Sequence, residues 1–389
     1  MKEARIIIIG AGMGGLAAAL AMQRAGFRVS VHEQAPELGE VGAGLTISPN
    51  ATHAIEYLGI GKEIAERAVI PERQAMIHYR TGKILVETKR GNKPKEQYGA
   101  DYYQMHRADL HSALTARVTK NDSAAINLNH SFVGCQESDD GVTAFFNNGD
   151  KTNGDVLIGC DGARSAVRSW MFGPEAPKFT GNIAWRGLVP TDGLSKDATA
   201  LHSAVAIAPR KAFTRYIIRG GTIINYVAFS RKSGWKQEGW SIRSEVSELL
   251  EEFDGWHPLV SEIIAGTPPD QCFKWALFDR DPIDEWTKGS VSLLGDAAHP
   301  MLPFLGMGAA MALEDGVVLA RAFEASGTIE EALKRYERAR KERCNFVLLQ
   351  SRVARERIQG DQPEEYDDNK HKNEESLGLF DYNPGSVAV

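Results

Sequence analysis

The chain has 389 residues, of which 43% are hydrophobic and 25% are charged, a composition that suits a globular protein with one large core or two ordinary ones. This composition argues against a disordered chain or a membrane protein, and the net charge of -6 at pH 7 argues against nucleic-acid binding as the main function. Four cysteines without paired spacing predict a reduced, intracellular protein with neither a disulfide framework nor a metal site: Cys135, Cys160, Cys272 and Cys344.

The chain opens with the elements of a βαβ unit. Residues 5–9 are β-branched and predict a buried parallel strand, residues 14–25 predict a helix of small residues, and residues 27–33 predict a second strand. Lys2 and Arg5 before an apolar stretch also resemble an export signal. Because four glycines break that stretch and a charged strand follows it, we expect a βαβ unit and a cytoplasmic protein.

The turn between the first strand and the helix reads GAGMGG, which places Gly10, Gly12 and Gly15 in the order G-x-G-x-x-G. In dinucleotide-binding folds the first glycine permits a tight turn, the second lets a pyrophosphate approach, and the third lets helix and strand pack closely. Glu33 ends the next strand, where a carboxylate can accept hydrogen bonds from a ribose diol. The pattern therefore predicts a dinucleotide site rather than a glycine-rich core turn.

The middle of the chain becomes rich in strands. We predict a helix over residues 52–70, strands over 74–88, an amphipathic helix over 105–118 and hairpin strands over 124–160. Residues 183–230 are β-branched and aromatic, which predicts an antiparallel sheet inserted in an α/β protein. A nicotinamide dehydrogenase usually continues through regular βαβ repeats, so this departure favours a larger dinucleotide such as FAD.

The last third of the chain is predicted to contain helices over residues 243–254, 258–265, 309–324 and 329–358. Before the third of these, an apolar strand ends in Gly-Asp at residues 295–296. A carboxylate at the mouth of a core strand suggests that it meets a ligand. The charged segment 360–376 predicts a solvated linker, and the apolar residues after it are expected to dock back on the fold.

Three motifs together resemble those of a known family. GAGMGG, GCDGARSAVR at 159–168 and LLGDAAHPMLPFLGMGAAMALEDG at 293–316 are similar to the glycine, D-G and G-D motifs of single-component FAD-dependent aromatic hydroxylases, the group A flavoprotein monooxygenases. GAGLTISPNA at 42–51 and HRADLHSAL at 106–114 point to the subgroup with salicylate hydroxylase, 3-hydroxybenzoate 6-hydroxylase and 6-hydroxynicotinate 3-monooxygenase.

The resemblance implies an α/β architecture: a Rossmann-like FAD-binding domain with an inserted antiparallel β-sheet substrate domain and C-terminal helices. The FAD-binding domain is then discontinuous and covers residues 1–75, 100–180 and 280–325. The substrate domain covers residues 76–99 and 181–279, and a C-terminal helix and tail cover 326–389.

The resemblance also assigns flavin contacts in the G-D motif. Asp296 is expected to bind a hydroxyl of the ribityl chain, and Pro303 is expected to lie beside the isoalloxazine ring. Gly308 begins a helix whose N–H groups face the pyrimidine end of the flavin, where negative charge develops on reduction.

Arg107 matches an arginine that the family aims at the FAD phosphates, although a surface helix arginine is the alternative. Asp161 and Gly162 are expected near the pyrophosphate and the groove for the nicotinamide cofactor, although a plain Asp-Gly turn would fit the same residues. FAD is expected to be non-covalent, because no histidine or cysteine marks an attachment site in the first motif.

By resemblance, the reaction uses O2 and NADH or NADPH, and a flavin C4a-hydroperoxide transfers oxygen to an electron-rich aromatic or hydroxypyridine ring. The expected partners are a small aromatic substrate and O2, without nucleic acid or membrane, in a monomer or homodimer. Two alternatives stay open: an FAD oxidase or dehydrogenase without oxygen transfer, and a flavin-binding redox sensor.

Two residues are candidates for catalysis. Tyr216 matches a family tyrosine near the substrate and is predicted to orient the substrate hydroxyl or take its proton, although a tyrosine facing the core is the alternative. His299 is expected near the flavin, as polar lining or as a structural cap.

Three pocket positions depart from relatives. Ala212 and Thr46 stand where some members carry histidine, and Met307 stands where several carry glutamine. These changes predict a less polar pocket and a bulkier or less acidic aromatic substrate.

Overall fold

The structure is a computed structural model that describes residues 3–39, 43–232, 242–366 and 372–389. Its strands, in chain order, are β1 Arg5–Ile9, β2 Arg28–His32, β3 Gly44–Ile47, β4 Arg73–His78, β5 Ile84–Lys89, β6 Tyr103–His106, β7 Ile126–Asn127, β8 Phe132–Ser138, β9 Gly141–Phe146, β10 Lys151–Gly154, β11 Val156–Gly159, β12 Lys178–Pro190, β13 Ser203–Ala208, β14 Lys211–Ile218, β15 Ile223–Arg231, β16 Ile242–Arg243, β17 Phe273–Asp279, β18 Thr287–Lys288 and β19 Val291–Leu293.

Its helices are α1 Met13–Arg24, α2 Pro49–Tyr57, α3 Gly61–Ala65, α4 Lys93–Tyr98, α5 Arg107–Asn121, α6 Ala166–Phe172, α7 Lys196–Ala200, α8 Val246–Glu252, α9 Pro258–Ala265, α10 Gly308–Glu324 and α11 Ile329–Ile358. Short 3-10 turns at Gly295–Ala297 and Pro303–Leu305 connect β19 to α10. Within the described ranges, no helix is long and apolar enough to cross a membrane.

The first large sheet has six strands in the order β18-β19-β11-β1-β2-β7. Its interior strands run parallel, and only the edge pair β18 and β19 is antiparallel. The isoleucines of β1 are buried, as expected of a parallel strand with both faces covered. The register pairs Ile9 with Gly159 and Gly159 with Leu293, so β1, β11 and β19 end side by side.

The second large sheet has eight strands in the order β16-β17-β12-β15-β14-β13-β4-β5 and is antiparallel except for the β13–β4 pair. One face contributes Ala184, Ala212 and Phe229 to the main hydrophobic core. The other face packs against α8 and α9 in a separate core that contains Phe213 and Tyr226. The sheet thus has an inner face toward the first sheet and an outer face under helices. The predicted α/β fold with an inserted antiparallel sheet is confirmed, whereas the domain boundaries stay a prediction.

Helices α1 and α10 cross closely beside the first sheet. A Cβ added to Gly316 would lie 2.6 Å from the backbone nitrogen of Ala18 and 2.8 Å from the carbonyl carbon of Ala17. Glycine is therefore needed at 316 for the two helix backbones to approach this closely. The small residues that the sequence places in α1 serve the same contact.

Two predictions from the sequence were partly wrong: the single helix over residues 52–70 and the solvated linker over residues 360–376. The helix predicted over 52–70 is two helices, α2 and α3, because Gly59 breaks them with a φ of +75°. The segment 360–376 is not solvated throughout: the buried guanidinium of Arg90 pairs with Glu374 at 3.2 Å and Glu375 at 2.6 Å. Residues 367–371 of that segment lie outside the described residues.

The C-terminal tail docks on the fold, as the sequence predicted. Leu379 and Phe380 are buried, and Arg343 of α11 donates to the carbonyl of Leu379 at 3.0 Å. Arg321 of α10 donates to the carbonyl of Pro384 at 2.7 Å. The tail therefore joins the last two helices to the main core.

Candidate functional site

The glycine turn after β1 shows why two of its glycines are required by packing. Gly10 has a φ of +102°, and a Cβ there would lie 2.6 Å from the carbonyl oxygen of Cys160. A Cβ on Gly15 would lie 2.0 Å from the carbonyl oxygen of Gly10. Gly12 differs, because its Cβ would meet nothing within 4 Å. The turn is closed on the sheet side and open at Gly12, where α1 begins.

The start of α1 has the features of an anion site. Gly12 is its N-cap and contributes no side-chain hydrogen bond, and the first turn carries no acidic residue. The first N–H groups of a helix lack intrahelical acceptors and carry partial positive charge. A pyrophosphate at Gly12 would receive these donors.

Glu33 lies beside this turn and already supports it. One carboxylate oxygen accepts from the N–H of Ala11 at 2.8 Å, and the other accepts from the N–H of Ala35 at 3.0 Å. A carboxylate has about four acceptor positions, so both oxygens can still accept from a ribose diol. His111 of α5 contacts the carbonyl of Ala11 at 2.8 Å and fixes the turn from the other side.

Asp296 lies in the 3-10 turn that follows β19, after Gly295 with a φ of +63°. Its side chain is open to solvent although protein surrounds it, as expected at the wall of a cleft. The surrounding protein raises the pKa of its carboxyl, while His299 and Arg107 act in the opposite direction. Arg107, the first residue of α5, is therefore close enough to Asp296 to act on its charge.

Asp161 follows β11, and its carboxylate caps α6. It accepts from the hydroxyl of Ser165 at 2.5 Å and from the N–H groups of Ala166 at 2.6 Å and Val167 at 3.1 Å. Burial raises the pKa of this carboxyl, while these hydrogen bonds lower it. The carboxylate thus holds the turn, and Gly162, with a φ of +79° and open space at its Cβ, is the residue that a ligand could approach.

Pro303 and Gly308 lie at the two ends of a segment between β19 and α10 that packs against the second sheet. Phe304 in the Pro303–Leu305 turn packs on Phe229 of β15 with ring centroids 4.7 Å apart. Gly306 then adopts a φ of +64°, and α10 begins at Gly308 without a side-chain cap. The start of α10 is a second uncapped helix N-terminus, placed where the two sheets meet.

The three motif loops thus leave the carboxyl ends of adjacent parallel strands, the usual ligand-binding edge of such a sheet. They present an uncapped helix start, open space at two glycines and carboxylates that can accept from hydroxyl groups. These features fit the pyrophosphate, ribose and ribityl groups of FAD. Which atoms of the cofactor each residue contacts stays a prediction.

Tyr216 lies on the inner face of β14 and is only 8% exposed. Its ring packs on Gly44, where a Cβ would come within 2.7 Å of the phenol oxygen. Asn225 on the neighbouring strand accepts from the N–H of Gly44 at 2.6 Å and holds this contact. Burial, with a smaller effect of Tyr102, raises the pKa of Tyr216, so its phenol is neutral at physiological pH.

Tyr102 is a site residue that the motifs did not indicate. It is buried next to Tyr216, and burial raises its pKa to about 12. Its hydroxyl accepts from the amide of Gln74 at 2.9 Å and also bonds the side chain of Thr46. Thr46 is therefore part of a polar cluster with two tyrosines. The only sequence signal for Tyr102 is its place shortly before HRADL.

Ala212 and Met307 lie in apolar surroundings. Ala212 lies four residues before Tyr216, hence on the same face of β14, and is fully buried. Met307 is buried in the same core, and its sulfur accepts from the hydroxyl of Ser48 at 3.7 Å. Neither side chain can exchange a proton, whereas the nearby tyrosines Tyr216 and Tyr102 carry titratable hydroxyls.

His299 is fully buried, and its Nε2 lies 2.6 Å from a carboxylate oxygen of Asp315. Burial opposes its charge, yet Cys344 and Asp315 raise the pKa of His299 well above its usual range. Asp315 also binds Arg340 at 2.6 Å. This position favours the structural role for His299. Its Nδ1 has no hydrogen-bond partner among the described residues.

The fold and the three converging loops define a dinucleotide-binding flavoprotein in which a second sheet adjoins the cofactor cleft. The family model described as FAD binding domain matches residues 3–351, and the chain belongs to that family. The family resemblance that the three motifs predicted is thereby confirmed.

Curated relatives cover nearly the same length. The chain is 34% identical over 349 residues to 6-hydroxynicotinate 3-monooxygenase of Bordetella bronchiseptica, covering 88% of this chain and 89% of the relative. It is 32% identical over 353 residues to 3-hydroxybenzoate 6-hydroxylase of Klebsiella oxytoca, covering 90% and 88%.

Solved structures agree with the fold. A crystal structure of Klebsiella pneumoniae HpxO complexed with FAD and uric acid matches with a TM-score of 0.86 and 27% identity, covering 98% of this chain and 96% of that one. A salicylate hydroxylase substrate complex matches with a TM-score of 0.82 and 26% identity, covering 99% and 97%.

Proposed function

We propose that this member of the FAD binding domain family is a monooxygenase that hydroxylates an aromatic or hydroxypyridine ring with O2 and NADH or NADPH. One observation carries the proposal: the loops after β1, β11 and β19 leave neighbouring strands at one edge of the first sheet, and the second sheet buries Tyr216 on its inner face. The full-length similarity to two named monooxygenases supports it.

When bound, FAD supplies the redox chemistry, taking electrons from the nicotinamide cofactor and activating O2. The chain's own residues hold it without a covalent bond. The start of α1 at Gly12 and the guanidinium of Arg107 bind the phosphates, while Glu33 and Asp296 accept from hydroxyl groups. Pro303 and Gly308 would lie beside the flavin ring.

Tyr216 orients the substrate hydroxyl. Its raised pKa keeps the phenol protonated, so it acts first as a neutral hydrogen-bond partner rather than as a base. A hydroxyl can donate and accept, and the polar cluster of Tyr102 and Thr46 lies next to it for relay of a proton. An electron-rich ring is what an electrophilic oxygen donor requires, so holding the substrate hydroxyl for deprotonation is the protein's main task.

The apolar neighbours Ala212 and Met307 bear on the substrate class. Without the histidine and glutamine of relatives, the pocket has fewer partners for a small carboxylated phenol. We infer a bulkier or less acidic aromatic substrate.

The test is a screen of phenols, aromatic acids and hydroxypyridines for stimulated NADH or NADPH consumption, followed by product analysis under 18O2. Incorporation of one labelled oxygen into a ring supports the proposal. Substrate oxidation without label would instead indicate an oxidase or dehydrogenase. If no compound accelerates flavin reduction in the FAD-loaded protein, the redox sensor replaces the enzyme.

A further inference from the structure

A second cavity lies on the outer face of the eight-stranded sheet, away from the flavin cleft. Its volume is about 230 Å³, and its floor is formed by Ala204, Ala206, Phe213 and Arg215, with Val260 of α9 on the opposite wall. Ala204 pairs with Arg215 and Ala206 pairs with Phe213 across β13 and β14, so the four side chains share one face.

This face is opposite to the one that carries Tyr216. Successive residues of a strand point to opposite faces of a sheet, and Arg215 directly precedes Tyr216 on β14. The preceding residues of β14 alternate in the same way: Phe213 belongs to the outer core, whereas Ala212 belongs to the main core. A ligand in the outer cavity would therefore not enter the candidate active site.

Arg215 is the unusual group in this cavity. It is only 5% exposed, and its Nη1 donates to the carbonyl of Leu201 at 2.6 Å. Among the residues that the structure describes, no carboxylate pairs with it. A guanidinium has five N–H donors, and buried charges in proteins are normally paired. Burial alone lowers the pKa of Arg215 to about 10, so the side chain still carries its charge at neutral pH.

The remaining charges lie at the mouth of the cavity. Arg73 is paired with Glu87 at 3.3 Å on the rim, and Asp197 is an exposed residue of α7. The ring of His257 lies against Gly82, where a Cβ would come within 2.8 Å of it. Solvent screens exposed charges, so the charge that a buried ligand would meet is that of Arg215.

We propose that this cavity binds a compact organic carboxylate, with its carboxylate on Arg215 and its apolar body on Ala204, Ala206 and Phe213. A planar guanidinium matches a carboxylate with two parallel hydrogen bonds. Ligand pockets usually span about 300–1,000 Å³, so this smaller cavity suits one ring or a short branched chain. The proposal does not depend on the reaction in the flavin cleft.

The probe is 4-bromobenzoate with the FAD-loaded protein. We expect an anomalous bromine peak in crystals between Phe213 and Val260, and a binding heat in solution that does not perturb the flavin spectrum. Its neutral counterpart, 4-bromobenzyl alcohol, is expected to bind at least about tenfold more weakly, since a charged hydrogen-bonded pair is lost. A bromine peak only in the flavin cleft, or binding only at soaking concentration, would overturn the proposal.

Three variants separate recognition from folding. Arg215→Met is expected to weaken binding about 10- to 100-fold, and Ala206→Leu is expected to abolish it by filling the cavity while leaving the guanidinium. Arg243→Met removes an exposed arginine of the same sheet and should bind like the wild type. FAD content and melting temperature report folding. Unchanged affinity in a folded Ala206→Leu protein would also overturn the proposal.

Discussion

At the scale of single residues, Tyr216 and its neighbours differ in what they can do with a proton. Ala212 and Met307 have none to exchange, and Tyr102 already bonds Gln74 and Thr46. Tyr216 packs on Gly44 and has a raised pKa from burial. Within the described residues of this region, Tyr216 is therefore the group whose removal should affect substrate activation most directly.

We expect Tyr216→Phe to keep FAD binding and fold while it slows oxygen transfer more than flavin reduction, because only the former needs an activated ring. General acid–base roles contribute about 10²–10⁴-fold, so a loss in that range indicates proton handling and a several-fold loss indicates positioning. Stopped-flow flavin reduction and product yield per NAD(P)H measure the two steps.

The matched control for this variant is Tyr226→Phe. Tyr226 is a fully buried tyrosine on the outer face, where its hydroxyl lies 3.0 Å from that of Thr267. The Tyr226→Phe variant should lose stability while its rate of oxygen transfer stays unchanged. Wild-type coupling of NAD(P)H oxidation to product in Tyr216→Phe would contradict the role, whereas excess hydrogen peroxide at normal flavin reduction would support it.

A second residue-scale prediction separates Glu33 from Asp296. Loss of either acceptor should weaken FAD affinity by about 1–3 kcal/mol, since a desolvated cofactor hydroxyl is left unpaired. Asp296→Ala should leave the apoprotein as stable as the wild type, because its side chain is open to solvent. Glu33→Ala should also destabilise the apoprotein, because two backbone N–H groups lose their acceptor. FAD titration and urea unfolding measure both, and unchanged affinity in both variants would refute the assignment.

At the scale of elements, α10 is fixed to α11 by a buried charge cluster. Glu314 and Asp315 of α10 pair with Arg340 of α11 at 2.6 Å each, and Asp315 also pairs with His299. Removing one partner of such a cluster leaves an uncompensated buried charge. The cluster holds the middle of α10 against α11.

The cluster predicts a particular pH dependence. The pKa of His299 is raised in the folded protein, so its contribution to stability is complete below the unfolded value of about 6.5 and is lost as pH rises toward the folded value. The wild-type apoprotein should therefore lose its advantage over His299→Gln by up to about 1.4 kcal/mol per pH unit above pH 6.5. Urea unfolding between pH 6 and 9 measures it.

Asp315→Asn serves as the control, because Asp315 is, with Cys344, one of the groups that raise the pKa of His299. The difference in unfolding free energy between Asp315→Asn and the double variant Asp315→Asn/His299→Gln should therefore depend less on pH than the difference between wild type and His299→Gln. A difference between wild type and His299→Gln that is independent of pH would show that His299 is neutral in the fold.

Periodicity and glycine spacing predicted the elements that local sequence controls. The β1–α1–β2 unit, α10 and α11 lie within one or two residues of their predicted ranges. Long-range contacts could not be predicted from the sequence. Arg90 pairs with Glu374 and Glu375, which are more than 280 residues away. Tyr102 lies beside Tyr216 only because of tertiary packing. Motif positions predicted the flavin residues, and these assignments stay predictions, whereas the capping role of Asp161 depended on the geometry of its turn.

At the scale of the whole molecule, one cofactor would join segments far apart in the chain. The loops after β1, β11 and β19 begin at residues 10, 160 and 294, yet their strands are neighbours in one sheet. The tail of the chain reaches the same core through Leu379 and Phe380. Cofactor binding should therefore stabilise these loops together rather than one at a time.

We expect a yellow protein with one FAD per chain that acid precipitation releases, since the first motif offers no covalent attachment site. Ligand binding stabilises the folded state by about 2.7 kcal/mol at a hundredfold excess over Kd. If one FAD touches all three loops, as the motifs predict, hydrogen exchange should slow at residues 10–16, 159–168 and 294–308 together on loading. Helices α8 and α9 on the outer face are the internal control and should exchange equally with and without FAD. Protection confined to a single loop, or flavin that stays in the acid pellet, would contradict a non-covalent cofactor spanning the cleft.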